Sequence, residues 1–284
     1  QVLFMPYLRL IKWRLSLAVA FSATAGFFLV NGELSYHALI CFLGVFLLSG
    51  GAAGINQLQE RKIDLLMDRT AHRPLPSQNL KLPEAIIFTC LCIISGSILL
   101  FRLNWIPALL ALVNILIYNV LYTPLKRVTI YAIIPGGLVG AIPPMIGWTA
   151  AGGSLLHPSI IFLASLMFLW QIPHFWLLVI RYGKDYEKAG LQTISQYLDE
   201  NQIKRLVFFW ILISSVFLAS YPIFQIHINI VVGILMFVLN IIFILAFYWY
   251  LFRNKDPKYI KPAFILTNIF LTVILLMLII NSLL

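Results

Sequence analysis

Between Asn56 and Pro76 the chain reads NQLQERKIDLLMDRTAHRPLP. Asn56, Glu60, Asp64 and Asp68 recur at four-residue steps, with Arg61, Lys62, Arg69 and Arg73 between and after them. Such steps put side chains on neighbouring turns of one drifting helical face. The segment emerges directly from a glycine-rich apolar run. Acids and bases are expensive at that depth, and there they mark function by default. Carboxylates are hard oxygen donors suited to Mg²⁺, which takes its remaining ligands from water and substrate phosphates. The interleaved Arg and Lys side chains would hold those phosphates directly.

Two further patches carry polar chemistry. WQIPHFWLLVIRYGKDYEKAG places Arg181, Lys184 and Asp185 some 120 residues after the first cluster, each cluster at the same end of an apolar run. If those two runs are neighbouring helices, a metal–diphosphate would fit between their ends. LIYNVLYTPLKRVTIY supplies Tyr118, Asn119 and Tyr122, followed by the loop bases Lys126 and Arg127. Facing inward, phenols and their ring faces can steady a carbocation or a leaving group. His174 stands between Pro173 and Phe175 inside an apolar run. A proline there frees a carbonyl, which is tolerated where the backbone lines a cavity, so His174 is a candidate contact for a metal-bearing substrate.

The elements that must position these residues are membrane helices. Hydrophobic residues make up 61% of the 284 residues and charged residues 11%, against about 25% charged in soluble domains. Nine apolar runs are each long enough to cross a bilayer, which takes about 20 residues: 14–32, 37–57, 84–102, 104–123, 129–151, 157–180, 205–223, 228–252 and 261–282. The first is followed by more of the same and is no cleaved signal peptide. No low-complexity linker divides 1–284, so one membrane domain is expected, all-α in class. With Gln at position 1, a few native N-terminal residues are expected to be missing.

On this reading 1–13, 58–83, 124–128, 181–204 and 253–260, with their flanks, collect every Lys and Arg except Arg102. The positive-inside rule then puts the N-terminus in the cytoplasm and the C-terminus outside, across an inner or plasma membrane. Nine of the ten acids share the cytoplasmic side, which topology does not demand. A phosphate-and-metal site there would explain them. The net charge of +10 is largely topological, and no nucleic acid is expected as a partner. Cys41, Cys90 and Cys92 all fall in apolar runs and are expected to be inert packing thiols.

NQLQERKID and RTAHRPLP resemble the first aspartate-rich motif of the UbiA superfamily of intramembrane prenyltransferases. LYTPLKRVTIYAIIPGGLVGAIPPMIGWTAAGG, WQIPHFW and KDYEKAG are similar to its haem-farnesylating branch, and the resemblance runs from about Lys12 to Gly190. It implies a helical bundle around a central cavity, and transfer of farnesyl from farnesyl diphosphate to a vinyl group of haem b. It implies Mg²⁺ as cofactor, held at Asn56, Glu60 and Asp64, with Arg69 and Arg73 on the diphosphate and Asp185 in the second motif. Membrane lipid surrounds such an enzyme. Whether the product passes to a haem A synthase or a terminal oxidase assembly stays open.

The chain departs from the family pattern in places. Glu60 stands where Asp is usual, Trp13 replaces a proline, and the second motif is poor in acids. A prenyltransferase acting on a quinone precursor or another aromatic acceptor, and a transporter with a charged gate, are the alternatives. Against the transporter, no acid lies in mid-span.

Overall fold

The computed structural model describes residues 4–253 and 260–284. Among these residues nine helices are long and apolar enough to cross a membrane. They are α1 (Trp13–Asn31), α2 (Tyr36–Asp64), α3 (Leu82–Leu103), α4 (Trp105–Leu125), α5 (Ile130–Ala150), α6 (Pro158–Lys188), α7 (Glu200–Ala219), α8 (Ile230–Arg253) and α9 (Ile260–Leu283). The chain is an integral, multi-pass membrane protein. Of the base-rich segments expected on the N-terminal side, 254–259 lies outside the described residues.

Local chemistry fixes the starts of these helices. Ser35, Asn104, His157, Asp199 and Asn229 each accept a hydrogen bond from a backbone N–H in the first turn that follows, so donors with no helical partner are satisfied. Asp199 and Gln202 complete a reciprocal capping box.

Two boundaries differ from the sequence expectation in a way that matters. α2 runs on to Asp64 and α6 to Lys188, so Asn56, Glu60 and Asp64 and the whole second cluster lie on the last turns of helices and not in the loops that follow. Apolar length alone ends a span where polarity begins, but the backbone stays helical beyond it. Past Asp64 the chain turns, so Asp68 leaves the Asn56–Glu60–Asp64 face and is exposed.

Small residues let the helices approach. A Cβ on Gly26 would clash with Pro144 O, and one on Gly147 with Ala23 O, so α1 and α5 touch backbone to backbone. Pro143 and Pro144 sit inside α5 without ending it. Gly44 and Gly96 serve α2 and α3 in the same way. Elsewhere large rings fill the space: Trp170 of α6, Phe243 of α8 and Phe270 of α9 stack, with Phe243 and Phe270 3.9 Å apart. α9 packs against α6 and α8 and returns to α1. Leu91, Ile94, Ile98 and Phe101 on α3 are exposed, as a lipid-facing stripe requires. Cys41 and Cys92 are buried, but Cys90 is on the exposed face of α3 and is not a packing thiol.

Candidate active site

A cavity of about 510 Å³ opens between α1, α2, α4, α5 and α6. Its polar end is built on the last two turns of α2. Asn56, Glu60 and Asp64 all line it, at 1%, 4% and 0% exposure. Each is held by a cation from a different segment. Lys12 Nζ donates to Asn56 Oδ1 at 2.8 Å. Lys126 Nζ lies 2.8 Å from Glu60 Oε1 and 2.9 Å from Oε2. Arg73 Nη1 donates to both oxygens of Asp64, at 2.9 and 2.8 Å. Asn56 Nδ2 ties the set together by donating to Glu60 Oε2 at 2.9 Å and to Thr123 Oγ1 at 3.2 Å.

Lys12 reaches this point from a left-handed backbone position, φ 47°, between a short helix, Met5–Leu10, and α1. Non-glycine residues rarely adopt that conformation, and sites that use it tend to be functional. Burial, and then the charges of Arg73 and Lys126, pull its pKa down to about 7.

α4 supplies the aromatic wall. Residues Ile117–Tyr122 form a π-helical turn, a distortion common at functional sites. Tyr118 and Tyr122 line the cavity and stack at 5.7 Å, and Lys126 Nζ lies 5.5 Å from the Tyr122 ring. Phe175 of α6 faces Tyr122 at 5.8 Å. His174 also lines the cavity, with its ring 4.7 Å from Phe264, and none of the described residues hydrogen-bonds it. The expectation for Asn119 changes. It is buried against α2, donating to Ala52 O at 3.0 Å and accepting from Gln59 Nε2 on its own carbonyl, so it joins helices and does not face the cavity.

The arrangement can bind a polyanion. Lys12, Arg69, Arg73 and Lys126 outnumber the two carboxylates at the polar end. Among the described residues no three acids, histidines or cysteines converge as a closed metal site. Two carboxylates and an amide oxygen do converge. That is the partial oxygen set Mg²⁺ uses when phosphates complete it, so the residues present fit the ion.

The UbiA prenyltransferase family model matches residues 16–274. The chain belongs to this family. A protoheme IX farnesyltransferase of Geobacter sulfurreducens is 42% identical over 182 residues, covering 64% of this chain and 67% of that one. The protein of the same name from Flavobacterium johnsoniae is 30% identical and covers 99% and 95%. The structure of a UbiA homologue from Archaeoglobus fulgidus bound to GPP and Mg²⁺ superposes with a TM-score of 0.71 at 18% identity, over 96% of this chain and 99% of that one. That likeness shows the UbiA fold.

Other expected site residues stand apart from the cavity of this UbiA bundle. Arg61 and Lys62 are exposed on α2, and Arg61 Nη1 donates to Leu58 O. On a helix whose 56–60–64 face points inward, positions 61 and 62 must point away. Arg127 donates to Gln59 O at 3.3 Å. Arg181 lies over the Tyr182 ring at 4.7 Å, Lys184 is exposed, and Asp185 does not line the cavity. α6 breaks from helical geometry at Tyr182, φ −125°, which re-aims the last turns so that Tyr186 lines the cavity in place of Asp185. The two clusters still meet: Arg69 lies 4.8 Å from the Tyr182 ring and 5.8 Å from that of Tyr186, and Lys188 pairs with Asp68 at 3.3 Å. Lys12, Thr123, Asn114, Gln171 and Tyr186 are site residues that the sequence did not single out. Lys12 had one signal, as the last base before the first apolar run.

Proposed function

We propose that the chain is a protohaem IX farnesyltransferase, which transfers farnesyl from farnesyl diphosphate to a vinyl group of haem b and gives haem O. One observation carries the reading: cations in excess of two buried carboxylates, at the mouth of a large aromatic and aliphatic cavity inside a membrane bundle. Relatives of that name at 30–42% identity support the choice of acceptor.

Asn56, Glu60 and Asp64 would hold Mg²⁺ together with the diphosphate. When bound, the ion neutralises charge on the departing diphosphate. Arg73, Lys126, Arg69 and Lys12 do the same from the protein side, with no reorganisation at the moment of reaction. As the C1–O bond weakens, the Tyr118 and Tyr122 ring faces lie where positive charge grows on the allyl carbons. Apolar walls keep water from that cation. His174 contacts the tetrapyrrole. The phosphate-binding end and the N-terminus face the cytoplasm and the C-terminus faces outward, and 1–284 works as one domain.

The test is the haem profile of membranes with and without the protein. Appearance of a more hydrophobic haem, heavier by a farnesyl group and a hydroxyl, is the expected result. An unchanged haem profile together with a prenylated quinone precursor would instead assign the aromatic-acceptor reaction.

A further inference from the structure

Below the phosphate-binding groups α4 presents a column to the cavity. Asn114, Tyr118, Tyr122 and Lys126 all line it, at four-residue spacing. On a uniform α-helix such a column drifts by roughly 40° per step. The wider π-helical turn at Ile117–Tyr122 takes up that drift. Lys126 stands at the top beside Glu60, the two phenols come next, and Asn114 lies one turn deeper, roughly 6 Å below Tyr118.

Asn114 is only half satisfied. Its Nδ2 donates to Val139 O of α5 at 3.2 Å, while its Oδ1 is buried without a hydrogen-bond partner among the described residues. A buried orphan acceptor costs about 1–3 kcal/mol, and native structures rarely keep one without a use. Gln171 of α6 reaches the adjacent point on α5. A Cβ on Gly140 would stand 2.7 and 2.8 Å from Gln171 Cγ and Cδ, so glycine is what admits this amide. His174 follows one turn along α6 on the same cavity wall. Amides bring no positive charge, so they are poor seats for phosphate or carboxylate at this depth. A water molecule, which needs two to four polar partners, suits them.

We propose that Asn114 and Gln171 hold the water molecule that adds to the second carbocation, the one formed on the carbon attached to the macrocycle. This rests on the haem-farnesylating reading. The vinyl π pair forms the new C–C bond to farnesyl C1 as the C1–O bond breaks, and that bond's electron pair leaves with the diphosphate. The macrocycle-side carbon is left electron-deficient. The water's lone pair closes a C–O bond to it, and the water's proton passes to the His174 imidazole. Haem b, farnesyl diphosphate and water thus become haem O, diphosphate and a proton. The depth of the seat separates the two cations. The first forms beside Lys126 and Tyr122, and the second forms one turn closer to the water.

Without the seated water the second cation must lose a proton and give an alkene, lighter than haem O by one water. Purified Asn114→Ala and Gln171→Leu proteins, supplied with haem b, farnesyl diphosphate and Mg²⁺, are therefore expected to raise the alkene-to-alcohol product ratio at least tenfold by mass spectrometry. Farnesyl diphosphate affinity is expected to stay at the wild-type value. Asn114→Asp, which keeps the acceptor, should restore the alcohol. A purely structural role would slow all products together, so an unchanged ratio in both variants, at whatever rate, overturns the proposal. So does loss of every product from both variants while each stays folded. A wild-type protein that makes no farnesylated haem sinks the functional reading and this inference with it. A wild-type protein that makes haem O, with variants of unchanged ratio, sinks the inference alone.

Discussion

Arg73 reaches back nine positions to place one guanidinium nitrogen against both carboxylate oxygens of Asp64. Lys126, just past the end of α4, does the same for Glu60, and Lys12, from the chain before α1, donates to Asn56 Oδ1. Three segments distant in sequence thus converge on three positions of one helical face. Each oxygen group is neutralised or hydrogen-bonded in place, which holds it in a single geometry. Removing Arg73 or Lys126 would leave a buried carboxylate without its counter-charge, which is destabilising. On the proposed function, an incoming Mg²⁺–diphosphate would take over both halves of the two ion pairs, with the metal on the carboxylates and the phosphates on the bases.

Asp64→Asn follows from this directly. The variant keeps the side-chain shape and loses the charge. Turnover of farnesyl diphosphate is expected to fall by at least about 10²–10³-fold, the scale of removing one preorganised electrostatic group. The protein should remain inserted and folded by circular dichroism. Glu60→Asp keeps the charge and should cost less than about tenfold, because Lys126 is a flexible partner that can follow a carboxylate one methylene shorter. Wild-type turnover in Asp64→Asn would remove Asp64 from the site.

Gly147 offers a stability test. Any Cβ there meets Ala23 O across the α1–α5 contact. Backbone cannot move aside as a side chain can, so Gly147→Val should cost at least about 1–3 kcal/mol by overpacking. The midpoint of thermal unfolding in detergent should drop, and turnover with it, since α1 and α5 both line the cavity. Gly152→Ala is the control. A Cβ there meets no atom within 4 Å, so its only penalty is the left-handed φ of 89°.

The fold was legible from apolar run length, because a bilayer leaves helices as almost the only way to satisfy the backbone. The helix ends were less so. Polarity begins at Asn56 while α2 continues to Asp64, since a helix needs no apolar face once it leaves lipid. The α2 half of the site was readable because Asn56, Glu60 and Asp64 share one helix and one period. Arg61 and Lys62 show the limit: helical position, and not charge, decides which bases turn inward. Asn114 and Gln171 stand alone among apolar neighbours and Lys12 is one of several bases near the N-terminus, and only tertiary contact brings them to the cavity. Asp185 and Tyr186 are adjacent in sequence, and the break at Tyr182 decides which of them faces inward.

Orientation has a direct measurement. Single cysteines at positions 81 and 188 should react with an impermeant thiol reagent only from the cytoplasmic side, and cysteines at 33 and 154 only from outside. Positions 81 and 188 flank the ends of α3 and α6, which the Arg69–Tyr186 and Asp68–Lys188 contacts bring to one face of the bundle. Labelling of 81 and 188 from opposite sides would contradict the arrangement of all nine spans.

His174 offers a test that distinguishes the two proposed substrates. Its ring lies against Phe264 at 4.7 Å and against Phe175 at 6.0 Å. Ring contacts run from it to Phe175, from Phe175 to Tyr122, and from Tyr122 to Lys126. A diphosphate held by Lys126 and Arg73 would sit at the polar end, whereas His174 lines the cavity beside Phe264 and Phe175, where a flat tetrapyrrole would lie. His174→Ala is expected to weaken haem b binding by about tenfold, the loss of one hydrogen bond or ring contact worth about 1–1.5 kcal/mol. The Soret band of bound haem should shift, and the dissociation constant of farnesyl diphosphate should stay the same. Spectral titration with haem, beside calorimetry with the diphosphate, reads both. Unchanged haem affinity and spectrum, with weaker diphosphate binding, would place the imidazole on the other substrate.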